Sequence, residues 1–329
     1  MPANLTPQYS KAEEAYRKAQ TPEERVGCLE EMLQVIPKHK GTEKLQADLK
    51  SRLKEAREEV QSEKKASKKG PSYRIPRQGA GTVLLIGGPN AGKSRILAEL
   101  TNANPEVAPY PFTTREPLPG MMAFEDVTVQ LIDTPPIAEQ HVESYLTGFV
   151  RGADLVLLCM DGSSDDGVEH TADVIEQLRQ RKTILDSRSG FDEEDYSITH
   201  VLTFLVVTRG GDPDVETRLE LLRELAEIPF TTHVVELDRH ESVEGLRRSI
   251  YDALGVIRVY TKKPGKPADY EAPFTIPVGG TVEDLAGKVH RDLLDGLKYA
   301  KVWGESAHDG QTVGREHVLA DRDLVELHV

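Results

Sequence analysis

Apolar positions follow three successive patterns along the chain. In the first, they recur at three- and four-residue intervals: Tyr9, Ala12 and Tyr16 after Thr6-Pro7; Val26, Leu29, Leu33 and Ile36 after Thr21-Pro22-Glu23-Glu24; Leu45, Leu49, Leu53, Ala56 and Val60 from Thr42 onward. This spacing predicts three helices with polar or proline starts, the second stopped by Pro37. A charged tail from Ser62 to Lys69 lacks apolar positions, and Gly70-Pro71-Ser72 reads as a linker. Between residues 80 and 256, short apolar runs alternate with amphipathic stretches. Strands are predicted at Val83–Ile86, Met121–Phe124, Val127–Ile132, Leu155–Met160, Val201–Val207 and His233–Leu237. Such alternation builds a mostly parallel α/β sheet with helices on both faces. Glu125-Asp126 reads as a hairpin turn, which adds one antiparallel edge strand. The segment from Gln180 to Thr199 is polar and is expected to be an insertion or an excursion of the chain. From Ile257 the texture changes again. Strand signals at Ile257–Thr261, Phe274–Pro277, Ala300–Trp303 and Leu324–His328 surround one predicted helix, Val282–Leu294, in a small α+β module. The expected organisation is a helical arm (1–70), an α/β domain (80–256) and a C-terminal module (257–329).

Composition adds modest constraints. A chain of 329 residues is long enough for two or more domains. No apolar run approaches the roughly 20 residues needed to span a bilayer, and Met1-Pro2-Ala3-Asn4 lacks the shape of a signal peptide. A soluble, cytoplasmic protein without membrane contact is expected. Cys28 and Cys159 lie far apart, and Cys159 sits in an apolar run as a small buried hydrophobe. The net charge is −14, yet residues 38–77 hold thirteen Lys and Arg against six Asp and Glu, a local surplus of seven. A basic arm on an acidic body suits contact with RNA; a solvated helix face is the alternative. The run Asp192, Glu193, Glu194, Asp195, without His or Cys, reads as solvated surface, with metal binding as the alternative. Tyr299 and Trp303 read as core aromatics, with a binding face as the alternative.

The chemistry concentrates in one stretch, Val83-Leu84-Leu85-Ile86-Gly87-Gly88-Pro89-Asn90-Ala91-Gly92-Lys93-Ser94, followed by a helix beginning near Arg95. Gly87, Gly92, Lys93 and Ser94 meet the pattern G-x-x-x-x-G-K-[ST] between a strand and a helix. Backbone N–H groups of such a loop converge on phosphate oxygens, and the helix N-terminus adds a favourable field. Lys93 would reach the β- and γ-phosphates, and the Ser94 hydroxyl would hold a magnesium ion. Asp133 leaves a predicted strand in Leu131-Ile132-Asp133-Thr134-Pro135-Pro136, where it can hold the same magnesium through its water shell. Between these motifs, Thr113 or Thr114 in Tyr110-Pro111-Phe112-Thr113-Thr114 can complete that shell when a γ-phosphate is present.

These motifs, with Pro117-Leu118-Pro119-Gly120 and Asp133-Thr134-Pro135, resemble the Obg and developmentally regulated GTP-binding protein group. The match continues at the C-terminus. Val259-Tyr-Thr-Lys-Lys-Pro-Gly-Lys-Pro-Ala-Asp269, Lys298-Tyr-Ala-Lys-Val-Trp-Gly304, and Val313-Gly314 with His317 look like that group's TGS module. Ile36 to Lys44 and the following helix resemble its N-terminal helical arm. The resemblance implies a P-loop GTPase domain that binds GTP or GDP and magnesium and hydrolyses GTP. It also implies partners in translation, a ribosome, RNA or an associated protein, reached through the arm and the TGS module. It assigns the nucleotide contacts to Gly87, Pro89, Asn90, Ala91, Gly92, Lys93, Ser94 and Arg95, and the base side to Thr208, Arg209, Asp212 and Leu237. Asn90 would help bind potassium beside the phosphates, where a fixed cation neutralises developing charge; shaping of the loop is the alternative. Asn90, Lys93, Thr113 and Thr114 are thus the candidate catalytic residues.

Three departures from the family pattern stand out. Pro136 replaces a glycine whose N–H would face the γ-phosphate, and proline has no N–H. The base-recognition Asn-Lys-x-Asp becomes Thr208-Arg209-Gly210-Gly211-Asp212, with Gly211 in register with the aspartate, and the next loop reads Glu236-Leu237-Asp238. Two glycines before Asp212 are expected to give the loop freedom to return that carboxylate to the base edge; a plain turn at Asp212-Pro213 is the alternative. Apart from these departures, Ile137 stands where many GTPases outside the family place a water-positioning glutamine. Two functions follow: a slow, switching GTPase, or a non-catalytic scaffold that keeps a nucleotide pocket.

Overall fold

A computed structural model describes residues 6–19, 21–65, 75–101, 116–137, 144–192, 195 and 197–329. Helices α1 (Pro7–Lys18), α2 (Pro22–Val35) and α3 (Glu43–Lys65) form the arm. Thr6 caps α1, and Thr21 and Glu24 form a reciprocal capping box at α2. The predicted apolar stripes meet in a small core of Tyr9, Leu29, Met32, Leu45 and Leu49.

The central sheet contains β1 (Thr82–Gly87), β2 (Leu118–Phe124), β3 (Val127–Asp133), β4 (Leu155–Asp161), β5 (Thr183–Asp186), β6 (Gly190–Phe191), β7 (Thr199–Thr208) and β8 (Thr231–Val234). Its order is β2-β3-β1-β4-β7-β5, with β6 and β8 also paired to β7. Only β2 and β6 run antiparallel to their neighbours among the described residues. Every residue of β1 is buried, as a central strand covered on both faces requires. One face packs under α5 (Ser144–Gly152), α6 (Asp165–Gln180) and α7 (Val215–Leu225), through Val150, Leu178 and Leu222. The other packs under α4 (Lys93–Leu100) and α8 (His240–Ala253), through Ile96, Leu100, Leu246 and Ile250. The β2–β3 hairpin turns at Glu125-Asp126 as the polar pair predicts, with Glu125 at φ 49°.

The C-terminal sheet has the order β10-β9-β13-β11-β12, from β9 (Val256–Lys262), β10 (Asp269–Pro277), β11 (Tyr299–Trp303), β12 (Gln311–Val313) and β13 (Asp323–His328). α9 (Val282–Val289) packs on it with Val282, Leu285 and Ala286 buried. The predicted single helix breaks at His290, which is extended (φ −167°, ψ 143°) and caps α10 (Arg291–Gly296) by accepting the Asp292 N–H at its ring Nδ1. The module is tied to the central domain by Arg258. Its guanidinium, 6% exposed, bonds to Asp321 at 2.6 Å and to Glu125 and Asp126 of the β2–β3 turn. Hydrogen bonds donated to Asp321 hold the Arg258 pKa above its ordinary value, against the cost of burial.

Several expectations need correction. The polar segment 180–199 is not a mere insertion: β5 and β6 lengthen the sheet along β7. Phe191 of β6 is buried in the arm's core, under Arg52 and beside Tyr16, while Glu13 of α1 accepts its backbone N–H at 3.0 Å. The segment is therefore the seat of the helical arm. The acidic run is not wholly solvated, because Asp192 meets His200 Nε2 at 3.0 Å and Asp186 meets its Nδ1 at 2.7 Å; Glu193 and Glu194 lie outside the described residues. Tyr299 and Trp303 are not core: Tyr299 stacks on His328 at 4.5 Å, and the Lys262 ammonium lies 4.1 Å from the Trp303 ring centre. The last strand of the central sheet is Thr231–Val234, two residues earlier than the apolar run suggests. The Gly70-Pro71-Ser72 linker is outside the described residues. Cys159 is fully buried, and burial pushes its thiol pKa up to about 12, as a small hydrophobe in a strand would have.

Candidate nucleotide-binding site

The site lies at the C-terminal edge of the parallel strands, where α/β sheets bind their ligands. At its phosphate end, β1 delivers Gly87 into the loop at φ 152°, and a Cβ there would stand 2.5 Å from the Cys159 carbonyl oxygen. Asn90 is left-handed at φ 59°, a conformation asparagine tolerates better than most residues. Gly92 opens α4 at φ 86°, against the Thr208 side chain.

Lys93 turns back into the loop. Its ammonium donates to the Gly87 and Gly88 carbonyls at 3.1 and 2.9 Å and is almost wholly enclosed. Burial pulls its pKa down, opposed by the neighbouring Asp133 carboxylate. An ammonium has three N–H donors, so one is left for an incoming oxygen. Beside it, the Ser94 hydroxyl donates to Asp133 Oδ2 at 2.6 Å, bringing the head of α4 to the end of β3. Thr134 fixes the chain after β3 by donating to the Leu85 carbonyl at 2.8 Å. The Ile137 N–H reaches the Gly87 carbonyl at 3.1 Å, and the Ile137 side chain enters the core. That side chain cannot orient a water, in accord with its chemistry. Thr113 and Thr114 lie outside the described residues.

At the other end, a cleft of about 480 Å³ opens beyond Gly92 and is lined by Arg95, Thr208, Arg209, Asp212 and Leu237, among others. Thr208 is buried and works on the loop rather than the cleft: its hydroxyl donates to the Ala91 and Met160 carbonyls at 3.3 and 3.1 Å. Arg209 ties the loop after β7 to the phosphate loop, donating to the Asn90 carbonyl at 3.3 Å and pairing with Asp161 at 2.7 Å. Arg95 crosses to Asp238 at 2.8 Å and closes one wall. Asp212 Oδ1 accepts from the Asp214 N–H at 3.0 Å and from Arg218 at 2.8 Å, and these bonds hold its carboxyl below the usual range. The two glycines before it are not a flexible hinge. Gly210 donates to the Val235 carbonyl, and a Cβ there would stand 2.5 Å from the Val234 side chain, so close strand packing requires the glycine. Glu236 and Ser163 also line the cleft, and Asp161 anchors Arg209 beside it.

Known proteins resemble this chain over most of its length. The family model described as 50S ribosome-binding GTPase matches residues 82–188, and the TGS domain model matches residues 257–329. An uncharacterised GTP-binding protein of Halobacterium salinarum is 28% identical over 93% of this chain and 98% of its own length. Developmentally-regulated G-protein 2 of Arabidopsis thaliana is 28% identical over 92% of this chain and 90% of its own. Developmentally-regulated GTP-binding protein 1 of Xenopus laevis is 26% identical over 92% and 98%. The chain is a homologue of the developmentally regulated GTP-binding proteins.

The phosphate end keeps every predicted motif residue that is described, and it brings Gly87, Gly92, Lys93, Ser94 and Asp133 together. The base end departs from the family pattern in sequence, and Thr208, Arg209, Gly211, Asp212, Glu236 and Leu237 line its cleft. Glu236 was legible only as a deviation in the loop after β8. Asp161 and Ser163 carry no motif; only the fold brings them to the cleft. Among the described residues no helix is long and apolar enough to cross a membrane.

Proposed function

We propose that this protein binds GTP and hydrolyses it to GDP and phosphate, as a ribosome- or RNA-associated switch. The observation that carries the reading is the Lys93 ammonium, buried in a left-handed glycine loop with backbone carbonyls as its hydrogen-bond acceptors. A buried cation so placed is costly without an anion, and phosphate oxygens supply one. Ser94 and Asp133 are hard oxygen donors at hydrogen-bonding distance, the chemistry magnesium accepts. When bound, that ion supplies charge neutralisation across the β- and γ-phosphates. Lys93 would add its own charge, and the loop would fix the orientation. Asn90, with Thr113 and Thr114, is assigned to the catalytic side, and Asn90 to a potassium ion as in the family resemblance. Single-turnover assays with protein in excess over GTP test hydrolysis. Phosphate release above the buffer rate, lost in K93A, supports the enzyme; tight binding without release favours the scaffold.

The ribosome assignment rests on the family descriptions of the two matched regions and on the basic surplus of residues 38–77. Lys50 and Lys54 are exposed on α3 and contribute to that surplus. Their reversal to glutamate is expected to weaken co-sedimentation with ribosomes several-fold while leaving nucleotide affinity unchanged. Equal sedimentation of the variant would remove the arm from the interface.

A further inference from the structure

Three carboxylates line the cleft beyond Gly92; Asp238 is paired with Arg95, and the other two, from the loops after different strands, are not equivalent. Asp212 belongs to the loop after β7. Its Oδ1 is held by Arg218 and the Asp214 N–H, an arrangement that starts α7. Glu236 comes from the loop after β8. Its Oε1 accepts from Arg239 at 3.0 Å, while Oε2 lies over Gly211, 3.0 Å from where a Cβ at that residue would stand. Residue 211 is the register position of the base-reading aspartate in the family pattern. The carboxylate missing from this position is therefore matched, in nearly the same space, by one arriving from the neighbouring loop. Glycine at 211 is what leaves room for it.

We propose that Glu236 is the carboxylate that reads the base, and that it selects a 2-amino-6-oxopurine. Such a base presents a ring N–H and an exocyclic N–H₂ side by side, a donor pair that matches two carboxylate oxygens. A carboxylate offers about four lone-pair positions, so the bond from Arg239 fixes its orientation without exhausting its capacity. Adenine turns a ring acceptor toward the same oxygens, leaving the carboxylate unpaired and facing a lone pair. The base has to lie here if phosphates occupy the loop, because Gly92 is shared between loop and cleft. Leu237 supplies an apolar surface next to Glu236, and the Arg95–Asp238 pair closes the far wall. This inference rests on the nucleotide reading of the phosphate loop.

Competition of GTP, ATP and xanthosine triphosphate against a fluorescent GDP, with magnesium and the full chain, tests it in wild type, E236Q and D212N. The glutamine amide donates where the carboxylate accepted, so E236Q should bind GTP at least tenfold more weakly and xanthosine triphosphate more tightly relative to GTP. D212N should keep the three affinities in the wild-type ratio to within about twofold. An E236Q variant with wild-type ratios overturns the proposal, as does a D212N variant that shifts them as far as E236Q. A wild type that binds all three triphosphates alike also overturns it, yet leaves the phosphate-site reading standing. A wild type that binds none overturns both.

Discussion

The two ends of the candidate site solve their problems differently. At the phosphate end, the proposed contacts come from backbone geometry and from Lys93, Ser94 and Asp133, of which a short linear motif specifies all but Asp133. At the base end, the proposed contacts come from side chains on two separate loops, after β7 and after β8, whose tips the sheet holds together. The Gly210–Val235 hydrogen bond, 3.0 Å long, is the stitch between them. Phosphate chemistry is common to all nucleotides, so that end tolerates little change. Base reading needs one carboxylate in one place, and two loops can supply it by exchange. Arg209 and Thr208 show where the ends meet. Both sit in the altered base motif, and both bond backbone carbonyls of the phosphate loop, at Asn90 and Ala91.

Changes at the phosphate end should have the largest effects. Ser94→Ala is expected to abolish the tightening of triphosphate binding by magnesium, about tenfold, while leaving magnesium-free binding nearly unchanged. Titration with and without EDTA reads this directly, and equal magnesium dependence in the variant would remove Ser94 from the ion's shell.

A transplant sharpens the contrast. Gly211→Asp places a second carboxylate against Glu236, and GTP affinity should fall severalfold by repulsion and crowding. Adding E236A to that variant should recover most of the lost affinity and the preference for GTP over ATP. If the double variant binds more weakly than G211D alone, the two positions do not share one carboxylate site.

A smaller effect is expected from the monovalent ion. Hydrolysis should run severalfold faster in potassium than in sodium at equal ionic strength, and Asn90→Ala should erase the difference. Equal rates in the two salts would leave Asn90, left-handed at φ 59°, as a residue that shapes the loop.

What the sequence disclosed follows the same division. Strand and helix order, the antiparallel hairpin at Glu125-Asp126 and the phosphate loop were legible because each depends on local pattern: burial of a central strand, turn residues, a glycine-lysine spacing. The role of Phe191 was not, since a two-residue strand in a polar segment has no periodicity to read, and only the packed arm shows what it serves. The helix break at His290 was hidden because the imidazole caps α10 where serine or aspartate would signal it. The loop Gly210-Gly211 suggested flexibility, whereas the second loop packed against it explains both glycines. Glu236 likewise acquires meaning only from its neighbour across the strands.

The measurement that bears most directly on the whole account is calorimetric titration of magnesium-GTP into wild type and K93A. The buried ammonium places a fixed positive charge in the phosphate cradle, and a charge-assisted contact of this kind contributes up to about 3 kcal/mol. Wild type is expected to show saturable binding at one site per chain, and K93A an affinity weakened by roughly 100-fold or more. Wild-type affinity in a correctly folded K93A would contradict the phosphate-site reading.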